Sequence, residues 1–226
     1  MTKRFLPSLA IVCGLVVGCR SAGTGTSAKA EPTSPAPAVA DGTQAVVKSG
    51  VGTDPGGVGM GTALAPKAGD ELAAFAGGCF WGTEDTFRHV PGVVATAVGY
   101  TGGHTKNPTY EDVCSHTTGH AETVLVEVDP KAVTYAQLLD VFFENHDPTT
   151  MNRQGPDVGD QYRSEVFTFS SIQADAARDA IARAEKRLGK HVVTAVSAIG
   201  AFYKAEDYHQ QWDEKAGKKS CAIHLP

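Results

Sequence analysis

Cys79 is the residue of this chain best placed for covalent chemistry. It stands in Gly78-Cys79-Phe80-Trp81-Gly82, where the apolar run Leu72 to Ala76 gives way to a helix-like segment. A strand that ends in Gly-Gly and feeds a helix sets this cysteine at or near the helix N-terminus. Unpaired N–H groups and the helix dipole favour an anion there. A free thiol with a pKa of ~8.5 is only a few per cent thiolate at neutral pH, and a shift to ~7 would ionise about half of it. A lone cysteine is more often a small buried hydrophobe. Glycines on both sides argue against that here, because they bring backbone close to something other than core.

Other polar groups follow in the chain. Thr118-Gly119-His120-Ala121-Glu122 sets Glu122 at the mouth of a valine-rich strand, where a solvated strand-end carboxylate is the plain alternative. Tyr110, in Asn107-Pro108-Thr109-Tyr110, and Tyr162, in Asp160-Gln161-Tyr162-Arg163, read on their own as ordinary half-buried tyrosines. His116 and His120 stand four apart with Glu122 two further on, which invites a metal reading. The segment is a glycine-containing loop, not a helix that would turn both imidazoles one way, so no metal is expected. No histidine adjoins Cys79 in its motif, which speaks against a cysteine hydrolase.

The elements that must position these groups alternate in type. Glu71 to Ala76 predicts a strand and Phe80 to His89 a helix stopped by Pro91-Gly92. Val93 to Tyr100 and the alternating Ala121 to Val128 predict two more strands. Thr134 to Asn145 reads as an amphipathic helix with Thr134 as N-cap. Ser164 to Phe169 is a strand, Ser171 to Leu188 a helix with alternating charges, and Val192 to Ile199 a final strand. The order βαββαβ predicts an α+β two-layer sandwich with a ferredoxin-like core. Thr101 to Gly119 and Asp147 to Tyr162 carry no periodic pattern and read as long functional loops.

The rest of the chain sets the context. Residues 1–18 combine Lys3-Arg4 with an apolar stretch from Phe5 to Val17, the pattern of a secretory signal too short to be a spanning helix. The stretch ends Val16-Val17-Gly18-Cys19, which resembles a bacterial lipobox; Cys19 is then the expected lipid attachment point and Cys13 is removed. Residues 19–69 are poor in large apolar side chains and read as a flexible linker, leaving residues 70–226 as the single globular domain. Three cysteines, Cys79, Cys114 and Cys221, remain in that domain with no CxxC among them, which fits neither a disulfide framework nor a zinc ribbon. A net charge of −5 with interspersed acids and bases gives no reason to expect nucleic acid.

Read together, the blocks resemble one family. Gly78-Cys79-Phe80-Trp81-Gly82, Gly99-Tyr100-Thr101-Gly102-Gly103, Asn107 to Tyr110, Thr118 to Glu122, Glu144-Asn145-His146-Asp147-Pro148, Arg153-Gln154-Gly155, Gln161-Tyr162-Arg163 and Ala205 to Gln210 stand in order over Leu72 to about Trp212. This pattern is similar to that of the type A peptide methionine sulfoxide reductases. The resemblance implies reduction of methionine S-sulfoxide, protein-bound and free, without a bound cofactor or metal. It implies Cys79 as nucleophile, Glu122 as acid, Tyr110 and Tyr162 as donors to the sulfoxide oxygen, Phe80 and Trp81 as the apolar seat for the methyl group, and Asp157 as a substrate-orienting carboxylate. It further implies Cys221 as the resolving cysteine, with Lys219-Ser220 where the family commonly has Gly-Tyr. Thioredoxin or an equivalent external thiol is then the reductant, Cys114 a structural buried thiol, and the chain a monomer. With the lipobox, the expected setting is the outer side of a bacterial membrane. The alternative from another class is a lipoprotein that binds methionine-containing peptides without turnover, for which an acid would be superfluous.

Overall fold

A computed structural model describes residues 50–58 and 63–217, all of them within the compact unit Val46–Pro226. The strands in chain order are β1 (Glu71–Gly77), β2 (Val93–Thr101), β3 (Ala121–Val128), β4 (Arg153–Gln154), β5 (Asp157–Val158), β6 (Ser164–Thr168), β7 (Ala195–Ala198) and β8 (Tyr203–Lys204). The helices are α1 (Phe80–Arg88), α2 (Tyr110–Cys114), α3 (Tyr135–Glu144), α4 (Ser171–Leu188) and α5 (Trp212–Lys215). Six strands form one sheet in the order β7-β6-β1-β3-β2-β8, and β4 and β5 form a separate hairpin. Every neighbouring pair in the large sheet is antiparallel except β6–β7. Its centre, β6-β1-β3-β2, is the split βαβ arrangement expected of a ferredoxin-like core. The α+β sandwich read from the sequence is the observed fold.

Side-chain parity along the strands explains the two layers. In β1, Ala73 and Phe75 join the larger core cluster with the helices, while Ala74 and Ala76 join a smaller cluster on the other face. In β3, Val124, Val126 and Val128 face the helices and Leu125 faces away. Because successive residues alternate, Glu122 belongs to the helix-covered face and Glu127 to the opposite one. Thr134 caps α3 with a reciprocal capping box, as its sequence predicts, and Thr109 does the same for α2. The last long strand is shorter than expected. Val192 donates its N–H to Glu185 and Val193 to the Pro148 carbonyl, so pairing with β6 starts only at Ala195. The two aperiodic stretches hold short elements of their own, α2 in the first and the β4–β5 hairpin in the second.

The described part of the expected linker, 50–58 and 63–69, lies on the domain. Gly52 bridges Ala95 beside β2, with Gly52 N–H donating to the Val94 carbonyl at 2.7 Å. Glu127, fully buried, accepts from the N–H groups of Gly56 at 2.7 Å and Lys67 at 2.8 Å. Val58 is buried in the smaller core cluster, on the face of the sheet opposite α1, α3 and α4. Composition alone hides this, because a segment of small residues that binds through its backbone shows no hydrophobic period. We call residues 50–58 and 63–67 the strap. The signal stretch and Cys19, within residues 1–49, lie outside the described residues, as do 59–62 and 218–226 with Cys221.

Candidate active site

The turn from β1 into α1 builds the site. Cys79 is the N-cap of α1 and is half-buried. Gly78 has φ 105°, and a Cβ there would stand 2.5 Å from the Gln154 side chain. Only glycine therefore allows the β4–β5 hairpin to close over this turn. Glu122 enters from β3 beneath α1 and is 2% exposed. It accepts the Phe80 N–H at 3.0 Å, so the first free amide of the helix goes to the carboxylate. The next two, of Trp81 and Gly82, are directed at the Cys79 sulfur.

These amides do not win the balance at the thiol. Burial pushes Cys79 up to about 11, the neighbouring Glu122 carboxylate adds to the rise, and the Trp81 and Gly82 N–H groups oppose it. The expected depression at a helix N-terminus is thus overturned: loss of hydration and a like charge outweigh two hydrogen bonds. Burial likewise raises Glu122 to about 7, against the Phe80 hydrogen bond and with help from Asp157. A carboxyl that keeps its proton near neutrality is a proton donor of the right strength.

The remaining groups surround this pair. Tyr162 ends a short 3-10 turn, Asp160–Tyr162, and is raised to about 12 by burial first, then by the charge of Glu122. Tyr110 opens α2 and is raised by burial and by its hydrogen bond to the Cys114 sulfur. Asp157, on β5, acts electrostatically on Cys79, Glu122 and Tyr162 together. The structure thus places all five groups about one point. Phe80 differs from expectation: it is 1% exposed, with its ring against Tyr100 and His209, so Trp81 alone of that pair offers surface. Cys114 differs too. It is half-buried beside Tyr110 and within the field of Glu122, and so borders the site instead of filling core. His120 has both ring nitrogens engaged by backbone, Nδ1 by Gly103 N–H and Nε2 by the Thr105 carbonyl, and His116 bonds Gln161. These imidazoles pin loops.

Three residues of the site have no role in the sequence reading. Glu206 accepts from Tyr110 N–H at 2.9 Å and from the Tyr100 hydroxyl at 3.1 Å, tying α2 to the C-terminal segment. His209, 1% exposed, accepts the Trp81 indole N–H at Nδ1, 2.9 Å away, which puts its own proton on Nε2. Trp212 stacks on Trp81 with ring centroids 4.4 Å apart and planes 14° off parallel. Glu206 and His209 lie in the block Ala205 to Gln210, and Trp212 is the second of only two tryptophans in the chain; those were the available signals.

Residues 71–226 match the family model described as peptide methionine sulfoxide reductase. The chain is 57% identical over 155 residues to the enzyme of that name from Methanothermobacter thermautotrophicus, covering 68% of this chain and 92% of that one. The chain belongs to the peptide methionine sulfoxide reductases. A rice relative, peptide methionine sulfoxide reductase A2-1 of Oryza sativa subsp. japonica, is 51% identical over 168 residues, 70% of this chain and 90% of that one. Among solved structures, methionine sulfoxide reductase A of Corynebacterium diphtheriae superposes with a TM-score of 0.66 at 35% identity, covering 77% of this chain and 91% of that chain. The reduced form of Mxr1 from Saccharomyces cerevisiae gives 0.65 at 36%, covering 70% and 93%. The reductase is therefore an oxidoreductase that reduces methionine sulfoxide with thiols. The pair at the α1 N-terminus joins a thiol able to attack sulfur to a carboxyl able to give up a proton near neutrality.

Proposed function

We propose that the reductase acts on the S-epimer of methionine sulfoxide, in proteins and as the free amino acid, from a lipid-anchored position outside the cytoplasm. The observation that carries the catalytic part is the meeting of Cys79 and Glu122 at one helix N-terminus. Cys79 Sγ attacks the sulfoxide sulfur as Glu122 delivers a proton to its oxygen. Tyr110 and Tyr162 donate to that oxygen while charge develops on it. The protonated oxygen then passes from the substrate sulfur to Cys79 Sγ as the new S–S bond breaks with its electron pair going to the substrate sulfur, so methionine leaves and Cys79 holds the oxygen as a sulfenic acid. Cys221 then attacks the Cys79 sulfur, forming a disulfide and releasing water, and a dithiol reductant of the thioredoxin type returns both thiols. Trp81 supports the methyl group, a contact worth on the order of 1 kcal/mol, and Asp157 orients the substrate. No metal or bound cofactor enters these steps, and one chain holds all the groups, which fits a monomer.

A Cys221→Ser chain tests the resolving step. Turnover with a thioredoxin as reductant should fall by at least about tenfold, while a small dithiol that reaches Cys79 directly sustains it. After one exposure to sulfoxide the variant should retain a Cys79 sulfenic acid that a dimedone-type trap labels. Equal turnover with both reductants overturns the assignment. The anchor rests on Gly18-Cys19 at the end of the apolar stretch. In a bacterial host, Cys19→Ser should move the protein from the membrane fraction to the soluble one, and retention in the membrane refutes the lipid anchor.

A further inference from the structure

One buried guanidinium meets three parts of the chain. Arg88, 3% exposed, sits at the last position of α1. Its Nε and one terminal nitrogen bind the Glu214 carboxylate on α5 at 2.8 and 3.2 Å. The other terminal nitrogen donates to the Gly52 carbonyl at 3.1 Å and to Thr96 at 3.0 Å, and the first also reaches the Val51 carbonyl at 3.2 Å. Val51 and Gly52 open the strap, while Glu214 is two residues beyond Trp212. A planar fork with several fixed donors can hold such a junction, and a lysine cannot.

Glu84, one turn earlier on α1 and 1% exposed, grips the same segment. Its carboxylate accepts from the Gln211 N–H at 2.7 Å and from the Gln211 side chain at 2.9 Å, and from Thr96 at 2.9 Å. Gln211 has φ 50°, a left-handed conformation that a non-glycine residue holds only when its surroundings impose it. Directly after it, Trp212 turns onto Trp81. The strap itself is fastened elsewhere, by Glu127 on the face of the sheet away from the helices. Along β3, Glu127 stands about 17 Å from Glu122 at ~3.4 Å per residue. The strap also lies outside residues 71–226 that the family model matches.

We propose that Arg88 is a positioning residue that locks the C-terminal segment carrying Trp212 to the strap, so that the aromatic wall beside Cys79 is set from the far face of the sheet. The reading rests on the proposed use of Trp81 as substrate surface. Seating the strap supplies the two carbonyls that hold the guanidinium; the guanidinium then holds Glu214, and the Gln211–Trp212 turn brings the second indole onto the first. Coupling of this kind is reciprocal, so disturbance at either end is felt at the other.

The test uses the full chain and two variants outside the catalytic groups. Glu127→Gln replaces one of two acceptor oxygens by a donor and loosens the strap; Glu214→Gln weakens the other end at a partly exposed position. Both tryptophans of the chain are in the stacked pair, so the exciton couplet of the strong far-ultraviolet indole band in circular dichroism reports that stack, with no turnover needed. Both variants should lose the indole couplet, and both should exchange the Gly52 and Gly56 amide protons faster. With N-acetylmethionine sulfoxide and a small dithiol, KM should rise about fivefold or more, with kcat within about twofold. Faster strap exchange in Glu127→Gln with couplet and KM unchanged overturns the proposal, as does loss of the couplet in Glu214→Gln with exchange at Gly52 unchanged. If Glu127→Gln fails to fold, Glu214→Gln decides alone. A lost couplet with unchanged KM contradicts the role given to Trp81 and leaves the coupling established.

Discussion

Cys79→Ser is expected to reduce sulfoxide turnover to background, a loss of at least about 10⁴-fold. The reason is stoichiometric as much as kinetic. The substrate oxygen must pass to a sulfur that can carry it as a sulfenic acid, and a serine hydroxyl cannot accept it. The seat itself survives, since Glu122, Trp81 and His209 are held by contacts that do not involve the Cys79 side chain. Substrate affinity in Cys79→Ser should therefore stay near that of the parent, which binding of a sulfoxide by calorimetry would measure. Mass spectrometry of the Cys221→Ser chain after one exposure should find one oxygen gained at Cys79. Cys114→Ser separates the two described thiols: it should keep most of its turnover. Sulfoxide reduction that persists in Cys79→Ser and disappears in Cys114→Ser would place the nucleophile at the wrong cysteine.

The raised thiol pKa also suits the setting proposed for this enzyme. A resting Cys79 at about 11 is almost wholly protonated, and thiols are oxidised through their thiolates. In the proposed mechanism the thiol is thus quiet until Glu122 takes over its proton in the presence of substrate.

What could be read from the sequence and what could not divides along the range of the interactions. The six-element order of the core and the caps at Thr134 are local patterns, and they appear where the chain predicts them. The meeting of Cys79 with Glu122 is nearly as legible, because strand parity puts Glu122 under the helix that Cys79 caps. The direction of the Cys79 shift was not. The helix N-terminus that lowers a thiol pKa is visible in Gly78-Cys79, whereas the burial and the Glu122 charge that raise it come from a residue 43 positions on and from packing. The Trp81–His209 bond spans 128 positions. The strap is the plainest case: it binds the domain through the N–H groups of Gly52, Gly56 and Lys67, and backbone bonds leave no mark in composition.

Glu122→Gln is expected to lower kcat/KM by about 10²–10⁴, the usual worth of a positioned general acid, and to make the folded protein more stable in mild alkali. Free reductase at low pH holds a proton on both Cys79 and Glu122. With rising pH the carboxyl releases its proton at about 7 and the thiol at about 11. Between those values the pair holds one proton, stored mainly on sulfur. The reactive arrangement, thiolate beside neutral carboxyl, has the same proton count and is reached by moving that proton from Sγ to the carboxylate. Parent kcat/KM should accordingly rise through about 7, hold, and fall toward about 11. In Glu122→Gln the inflection near 7 disappears and the Cys79 pKa drops, since the like charge is gone. The stability change runs the other way. A carboxyl raised from 4.5 to about 7 binds its proton more tightly in the folded state, so folding is favoured below 4.5 and loses that advantage as pH climbs through 7. At 1.36 kcal/mol per unit the parent forfeits at most about 3 kcal/mol by about pH 8, and the neutral glutamine forfeits none while its amide oxygen still accepts the Phe80 N–H. Urea unfolding at about pH 5 and about pH 8 should show the parent losing stability relative to the variant between the two, a difference in which the contributions of groups common to both, His146 and Glu84 among them, cancel. A variant that keeps an inflection near 7, or keeps kcat/KM within about tenfold of the parent, would take the proton-donor role away from Glu122.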